Sequence, residues 1–424
     1  MKTTIKLRRK FTLMDLLWFI EVFCLASFAL LESVNISIPV FSSLKKPFVY
    51  AAGLCLLLQA NLFVRYIPKQ KFFWILLLLV ALCFLLGCSL LVDRNIVLEI
   101  SPKTATIRLI LYLGELFLFA MLAAQAGRGE QTLSFLYWYL VALVVVTDVV
   151  LLTRVVTFYN GGFETYLVGT KFAVMYLHFD LAAIWMMRNQ KLIRKSLRTK
   201  ITAGFMMVLF AVISLRVDCK TALLGCVLLL GLIAVMDSRK KDRLRLFTSP
   251  AVLLACLVIS AVFPFILKEF LELPAVTYLV QTVLKRDLTL TGRTKIYAKY
   301  LDTMENYWAW GYGFGRGNEV SVKMFGGYAN SQNGLLQWIL QVGLMNAIPL
   351  CLLFTAVFAQ LSKAKAQKQR YLMPLVALIY MYIILGVIET TYNMAFILWF
   401  AVLFMMVNEK KQPALEKTDD GGRS

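Results

Sequence analysis

The residues most able to do chemistry in this 424-residue chain are five cations in places where cations are expensive: Arg108, Lys171, Arg216, Lys220 and Arg293. Arg108 and Lys171 fall inside apolar stretches, about one turn from one end. Arg216 and Lys220 flank the turn between two further stretches, and Arg293 follows Gly292 at the start of a helical pattern. A charge within a bilayer costs about 2.5 to 3.5 kcal/mol on insertion scales, so each needs a reason to be there. No acidic set of similar size balances them, although Asp218 and Glu115 can pair with one or two. Cations gathered at one level suit a guest rich in anionic oxygens, and a lipid diphosphate fits because arginine's planar fork meets phosphate oxygens two at a time. Snorkelling to headgroups is an equally good account of Arg108 and Lys171, and Arg293 taken alone reads as a solvated loop cation.

Other residues fill supporting roles. Asp218 and Glu389 are carboxylates at the ends of apolar stretches and are the candidates for a general base, with nothing to separate them. Gln332 and Asn333 are amides able to hold a polar guest through hydrogen bonds. Tyr297, Trp308, Trp310 and Tyr312 can stack on a ring-shaped guest, although aromatics near a membrane surface more often serve as anchors. His178, the single histidine, reads as a packed imidazole with no carboxylate to orient it. Asp302 and Glu305 lack a third ligand, and the eight cysteines are scattered through apolar stretches, so no metal site and no disulfide is expected. Asp302 and Glu305 instead read as a solvated helix face.

The elements that must hold these residues are membrane spans. Hydrophobic residues make up 60% of the chain and charged residues 16%, too apolar a balance for a soluble domain. A helix needs roughly 20 apolar residues to cross the hydrocarbon core, and an open sheet would strand its backbone groups in lipid. The expectation is an all-α polytopic membrane protein with about twelve spans near 13-31, 47-64, 72-92, 105-126, 132-152, 166-187, 201-217, 219-236, 248-267, 334-360, 372-388 and 394-408. The first is too long for a signal-peptide core and lacks a cleavage site, so it should remain as a helix. The chain divides into spans one to nine over 1-267, a large extracytoplasmic loop over 268-333, spans ten to twelve over 334-408 and a cytoplasmic tail over 409-424. Of the 45 lysines and arginines, 28 fall in segments placed inside, which by the positive-inside rule puts both termini in the cytoplasm. The net charge of +21 therefore reflects topology and anionic headgroups. The short cationic runs lack the interleaved aromatics of a nucleic-acid surface.

Within 268-333, the run from Pro274 to Arg286 reads as a helix on the membrane surface. A second helix from about Arg293 to Asn306 buries Ile296, Tyr297, Tyr300, Leu301 and Met304 while showing Lys295, Lys299 and Asp302. A turn carrying Gly311, Gly313 and Gly315 follows, and Gln332-Asn333 with Leu336-Gln337 leads into the next span ahead of Gly343.

Gly292-Arg293 before a helix, the glycine-spaced turn, the Asn-x-x-Leu-Gln stretch and the span pattern together resemble the O-antigen ligase/polymerase family of bacterial membrane glycosyltransferases, which includes Wzy-type polymerases and WaaL-type ligases. The motifs cover about 292-344 and the turn around 216-224. Two positions depart from the family pattern: Gln332 stands where a histidine is frequent, and Cys219-Lys220 where Ser-Arg is frequent. The resemblance implies a GT-C-like bundle in a bacterial plasma membrane that transfers glycan from undecaprenyl diphosphate to a sugar hydroxyl, without cofactor or metal. It assigns Arg216, Lys220 and Arg293 to the diphosphate with Arg108 and Lys171 as helpers, makes the sugar the guest that Gln332 and Asn333 would position and Tyr297, Trp308, Trp310 and Tyr312 would stack on, and implies a flippase and a chain-length regulator as companions. The missing histidine favours polymerase over ligase. A lipid-linked oligosaccharide flippase is the rival from another class, but the chain has neither the repeated halves nor the broken helices usual in transporters.

Overall fold

The computed structural model describes residues 12-38, 46-62, 69-92, 96, 98-160, 163-237, 241-278, 281-282 and 292-410. The described chain is helical apart from one small hairpin. Its elements are α1 (Leu13–Leu30), α2 (Val34–Ser37), α3 (Lys46–Leu58), α4 (Lys69–Cys88), α5 (Pro102–Gln125), α6 (Gly129–Thr153), β1 (Phe158–Asn160) paired antiparallel with β2 (Phe163–Thr165), α7 (Lys171–Lys195), α8 (Leu197–Arg216) and α9 (Lys220–Met236). Then come α10 (Lys241–Phe247), α11 (Pro250–Val262), a 3-10 turn (Phe263–Ile266), α12 (Leu267–Leu271), α13 (Pro274–Tyr278), α14 (Arg293–Met304), α15 (Gly317–Met324), α16 (Gly334–Val342), α17 (Leu344–Ser362), α18 (Ala366–Leu385) and α19 (Met394–Asn408).

Local chemistry sets several boundaries. Thr12 and Asp15 form a reciprocal capping box at α1. The side chains of Thr170, Ser196, Asn333 and Asn393 cap α7, α8, α16 and α19. Proline opens α5 and α11, where its missing N–H leaves no helical bond unmade.

Each apolar stretch read from the sequence falls on helix. By length and composition, six described helices suffice to cross a membrane: Leu13–Leu30, Lys71–Cys88, Pro102–Gln125, Gly129–Thr153, Leu197–Arg216 and Leu344–Ser362. Shorter apolar helices cover Lys46–Leu58, Lys220–Met236, Pro250–Ile266 and Met394–Asn408. This is the pattern of a multi-pass membrane protein. The helices α7 and α18 fall outside both groups for a physical reason. Each runs on into a cationic end, Lys368 and Arg370 in α18 and Arg188, Lys191, Arg194 and Lys195 in α7, while residues 174-185 and 372-383 are buried without interruption. Around this centre α7 packs on α6, α8 and α18, while α9 packs on α18, α5 on α19 and α1 on α3.

The structure corrects the sequence reading in places. The stretch 334-360 is two helices, α16 and α17, broken at Gly343 with φ +71. The helix expected from Pro274 to Arg286 is present over Pro274–Tyr278, and most of its remainder lies outside the described residues. On α14 the expected face buries Ile296, Tyr297, Tyr300 and Met304, but Leu301 is 50% exposed because it sits on the flank of that stripe.

Candidate functional site

The turn between α8 and α9 is built by its own backbone and one serine. The Ser214 hydroxyl donates to the Cys219 carbonyl at 2.8 Å, and the Cys219 N–H donates to the Ser214 carbonyl at 2.9 Å. Asp218 adopts φ +47, a left-handed conformation uncommon for a residue with a side chain. That conformation turns its carbonyl onto the Lys171 ammonium at 2.9 Å. The start of α7 is thereby tied to the α8–α9 turn, with Arg216 closing α8, Lys220 opening α9 and Tyr166 within electrostatic reach of Arg216 and Asp218.

The second half of the cluster comes from α14 and the segment after α18. Arg293 donates through Nη2 to Glu389 Oε1 at 2.7 Å and through Nε to the Ile388 carbonyl at 2.9 Å. Burial pushes the Glu389 carboxyl up to about 7, against the opposing pull of Arg293 and Lys171. Lys171 thus feels both halves, linking Arg293 and Glu389 to Asp218 and its turn.

Three helices here open on a cation: Lys171 on α7, Lys220 on α9 and Arg293 on α14. Neither α9 nor α14 has a side-chain cap. A cation at a helix N-terminus opposes the helix dipole, which already places positive partial charge there. Helix ends and side chains therefore act in the same sense on an anion placed there.

The residues brought together are therefore Lys171, Arg216, Asp218, Arg293 and Glu389, with Lys220 beside them in the chain. Arg108 is separate. Its Nε donates to the Thr104 carbonyl one turn back on α5, and no bond to the cluster is seen among the described residues.

The remaining candidates turn out to be framework. The Asn333 side chain is fully buried. Its oxygen caps α16 through the Leu336 N–H at 2.9 Å, and its nitrogen donates to the carbonyls of Ser260 at 2.8 Å and Val387 at 3.1 Å. Every polar atom of that side chain serves the protein, which corrects its expected role in holding sugar. Gln332 sits at φ +54, its side chain on Asn330 and its carbonyl accepting from the Tyr297 hydroxyl at 2.9 Å. Gln337 Oε1 accepts from the Ser331 N–H at 2.8 Å. The Asn-x-x-Leu-Gln motif is thus a helix cap and loop clasp that fixes the start of α16 against the segment carrying Glu389. Tyr297 and Tyr312 are enclosed too: Tyr312 stacks on Tyr307 at 4.0 Å and donates to the Thr303 carbonyl. Neither has a ring face open to a sugar. Trp310 is half-buried in the turn ahead of Gly311.

That turn is a docking device. Gly311, Gly313 and Gly315 all have positive φ. A Cβ on Gly313 or Gly315 would lie 2.7 Å from Pro102 or Ala105 at the start of α5. Glu319 on α15 reinforces the contact by accepting the N–H groups of Glu99 at 2.7 Å and Ile100 at 3.1 Å.

Sequence reasoning missed two buried groups. His178 has a carboxylate after all, Asp148 of α6, at 3.2 Å from Nε2, while Nδ1 meets the Val174 carbonyl at 2.8 Å. Tyr176, two residues earlier, lies within electrostatic reach of Glu389 and Cys219. Neither partner is visible in sequence, because 30 residues separate Asp148 from His178 and more than two hundred separate Tyr176 from Glu389.

Residues 203–351 match the family model described as O-antigen ligase. No curated protein and no solved structure matches the chain at a significant level. Arg216, Asp218, Lys220 and Arg293 all lie inside the matched stretch, which is about a third of the chain, together with the clasp that holds α16.

Proposed function

We propose that the protein transfers glycan from undecaprenyl diphosphate to a sugar hydroxyl at the outer face of a bacterial plasma membrane, and that it does so as a polymerase of lipid-linked repeat units. The observation carrying this reading is the convergence of Arg293, Lys171 and the α8–α9 turn beside one buried carboxylate, with three helices opening on cations. A donor diphosphate supplies anionic oxygens beyond the one carboxylate that Arg293 already holds. As the anomeric C–O bond breaks, charge collects on the departing diphosphate. Preorganised cations and helix ends stabilise that charge more than the ground state, which is how such a site accelerates transfer. The acceptor hydroxyl attacks the anomeric carbon and gives its proton to Glu389. A carboxyl near 7 suits that role better than an ordinary one, because a base works best with a proton affinity near the working pH. Asp218 holds Lys171 through its backbone while its side chain stays exposed, which makes it a positioning residue. The scheme uses no metal and no nucleotide. A flippase delivering donor and a chain-length regulator are the expected companions.

The polymerase reading is separated from the ligase reading by the glycan that accumulates on deletion. Loss of a polymerase leaves single repeat units, whereas loss of a ligase leaves long chains on the lipid carrier. In a deletion strain, Arg293→Ala should restore no long polymer, and Arg293→Lys should restore a small fraction because a point charge replaces a two-toothed contact. Full-length polymer from Arg293→Ala would remove the site from consideration.

A further inference from the structure

Within α7 lies a hydroxyl that the reaction described so far does not use. Tyr176 is 8% exposed, and its hydroxyl has no hydrogen-bond partner. A buried hydroxyl left unpaired is costly and rare. The ring cannot swing away. It lies 5.2 Å from the Tyr382 ring and 6.3 Å from that of Phe179. Phe179 is in turn pressed onto Gly225 of α9, where an added Cβ would meet it at 2.7 Å. The neighbouring tyrosine shows what a satisfied hydroxyl looks like here, since Tyr382 donates to Asp180 at 2.9 Å. Tyr176 follows Lys171 by five residues on α7, and the carbonyl of its ring partner Tyr382 accepts from the Thr391 hydroxyl, two residues past Glu389, at 2.6 Å. Tyr176 thus stands where the start of α7 meets the segment carrying Glu389.

We infer that Tyr176 is a substrate-binding residue whose hydroxyl donates a hydrogen bond to the diphosphate of the lipid-linked donor. The inference rests on the diphosphate reading of the cluster and adds to it an uncharged donor buried beside it. A donor locked by packing before the ligand arrives loses no freedom when it binds, so its contribution to affinity is undiluted. Charged oxygens are the fitting partner, since hydrogen bonds to ionised acceptors are about twice as strong as neutral ones.

The test is Tyr176→Phe in full-length protein in nanodiscs, with undecaprenyl diphosphate as ligand and inorganic pyrophosphate in a parallel arm. Removing an unpaired hydroxyl should leave the ligand-free melting temperature unchanged or higher, while affinity for undecaprenyl diphosphate falls about tenfold or more. A similar fall for pyrophosphate assigns the contact to the phosphates, and a fall for the lipid alone assigns it to the lipid-bound form. Affinity within twofold of wild type, or a lowered ligand-free melting temperature, overturns the inference, the latter because it would reveal a structural partner for the hydroxyl. The wild-type and Arg293→Ala arms keep the two readings apart. If wild-type protein binds neither ligand, the diphosphate reading fails; if wild type binds and Arg293→Ala does not, only the role of Tyr176 is at stake.

Discussion

At the scale of single residues, burial sets the chemistry of Glu389. Its carboxyl is held up at about 7 by burial even though Arg293 lies 2.7 Å away. The base-competent form is the ionised one, so transfer should be slow below pH 7, rise as the pH passes through about 7 and level off above it. Glu389→Gln keeps the hydrogen bond to Arg293 but cannot take a proton. It should lower turnover by about 10²- to 10⁴-fold and abolish the acid limb of the pH profile. Initial rates across pH 5 to 9 on lipid-linked donor check this, and an unchanged limb in the variant would assign the base elsewhere. Lys171→Met should act differently by freeing the Asp218 carbonyl and removing a charge that both halves feel, so loss of donor affinity is expected alongside loss of turnover.

At the scale of elements, the glycine turn and α15 fasten the segment carrying α14 onto the start of α5. Glu319 is the clasp. Two backbone N–H groups and Lys323 at 2.9 Å hold its carboxyl down at about 2. A depressed carboxylate stabilises the folded state above the ordinary carboxylate range and loses that contribution as pH falls through about 2, so the clasp should survive mild acid. Glu319→Gln should raise hydrogen exchange in residues 98-101 and 317-324 with little change in global melting temperature; unchanged exchange there would show that the glycine contacts suffice alone. Gly343 is the stricter element. At φ +71, an added Cβ would lie 2.1 Å from the Ala309 carbonyl oxygen. Gly343→Ala should therefore destabilise by at least about 1 to 3 kcal/mol from backbone strain alone, with the clash added, and appear as reduced folded yield on detergent size exclusion.

At the scale of the whole molecule, the bundle has two chemically different ends. The end opposite the cluster holds Arg128 on Asp15 at 2.7 Å, Glu409 on the Glu130 N–H at 3.0 Å and the Tyr371 hydroxyl on Glu130 at 2.9 Å. Under the proposed orientation this is the cytoplasmic end. Alkaline phosphatase fused after Lys410 should be inactive and fused after Ile100 active, while a green fluorescent reporter should behave in reverse. The opposite pattern would put the cluster on the cytoplasmic side, where the proposed reaction has no acceptor.

Much of this was legible in the residues because helix in a membrane is imposed locally. Apolar stretches of spanning length can satisfy their backbone only as helix, and the α14 stripe was readable from its three-to-four spacing. The cations Arg216, Lys220 and Arg293 could be named as candidates from their places beside apolar runs, whatever the fold. Only the tertiary structure decided which of them meet. Lys171 and Glu389 lie outside the matched stretch 203–351, yet packing of α7 and α18 at the centre of the bundle carries both to the cluster and leaves Arg108 apart. The roles of Asn333, Tyr297 and Tyr312 were likewise undecidable from residue type, because an amide or a phenol serves sugar and backbone equally well. What settled them was which carbonyls came within 3 Å, a matter of distances between segments far apart in the chain.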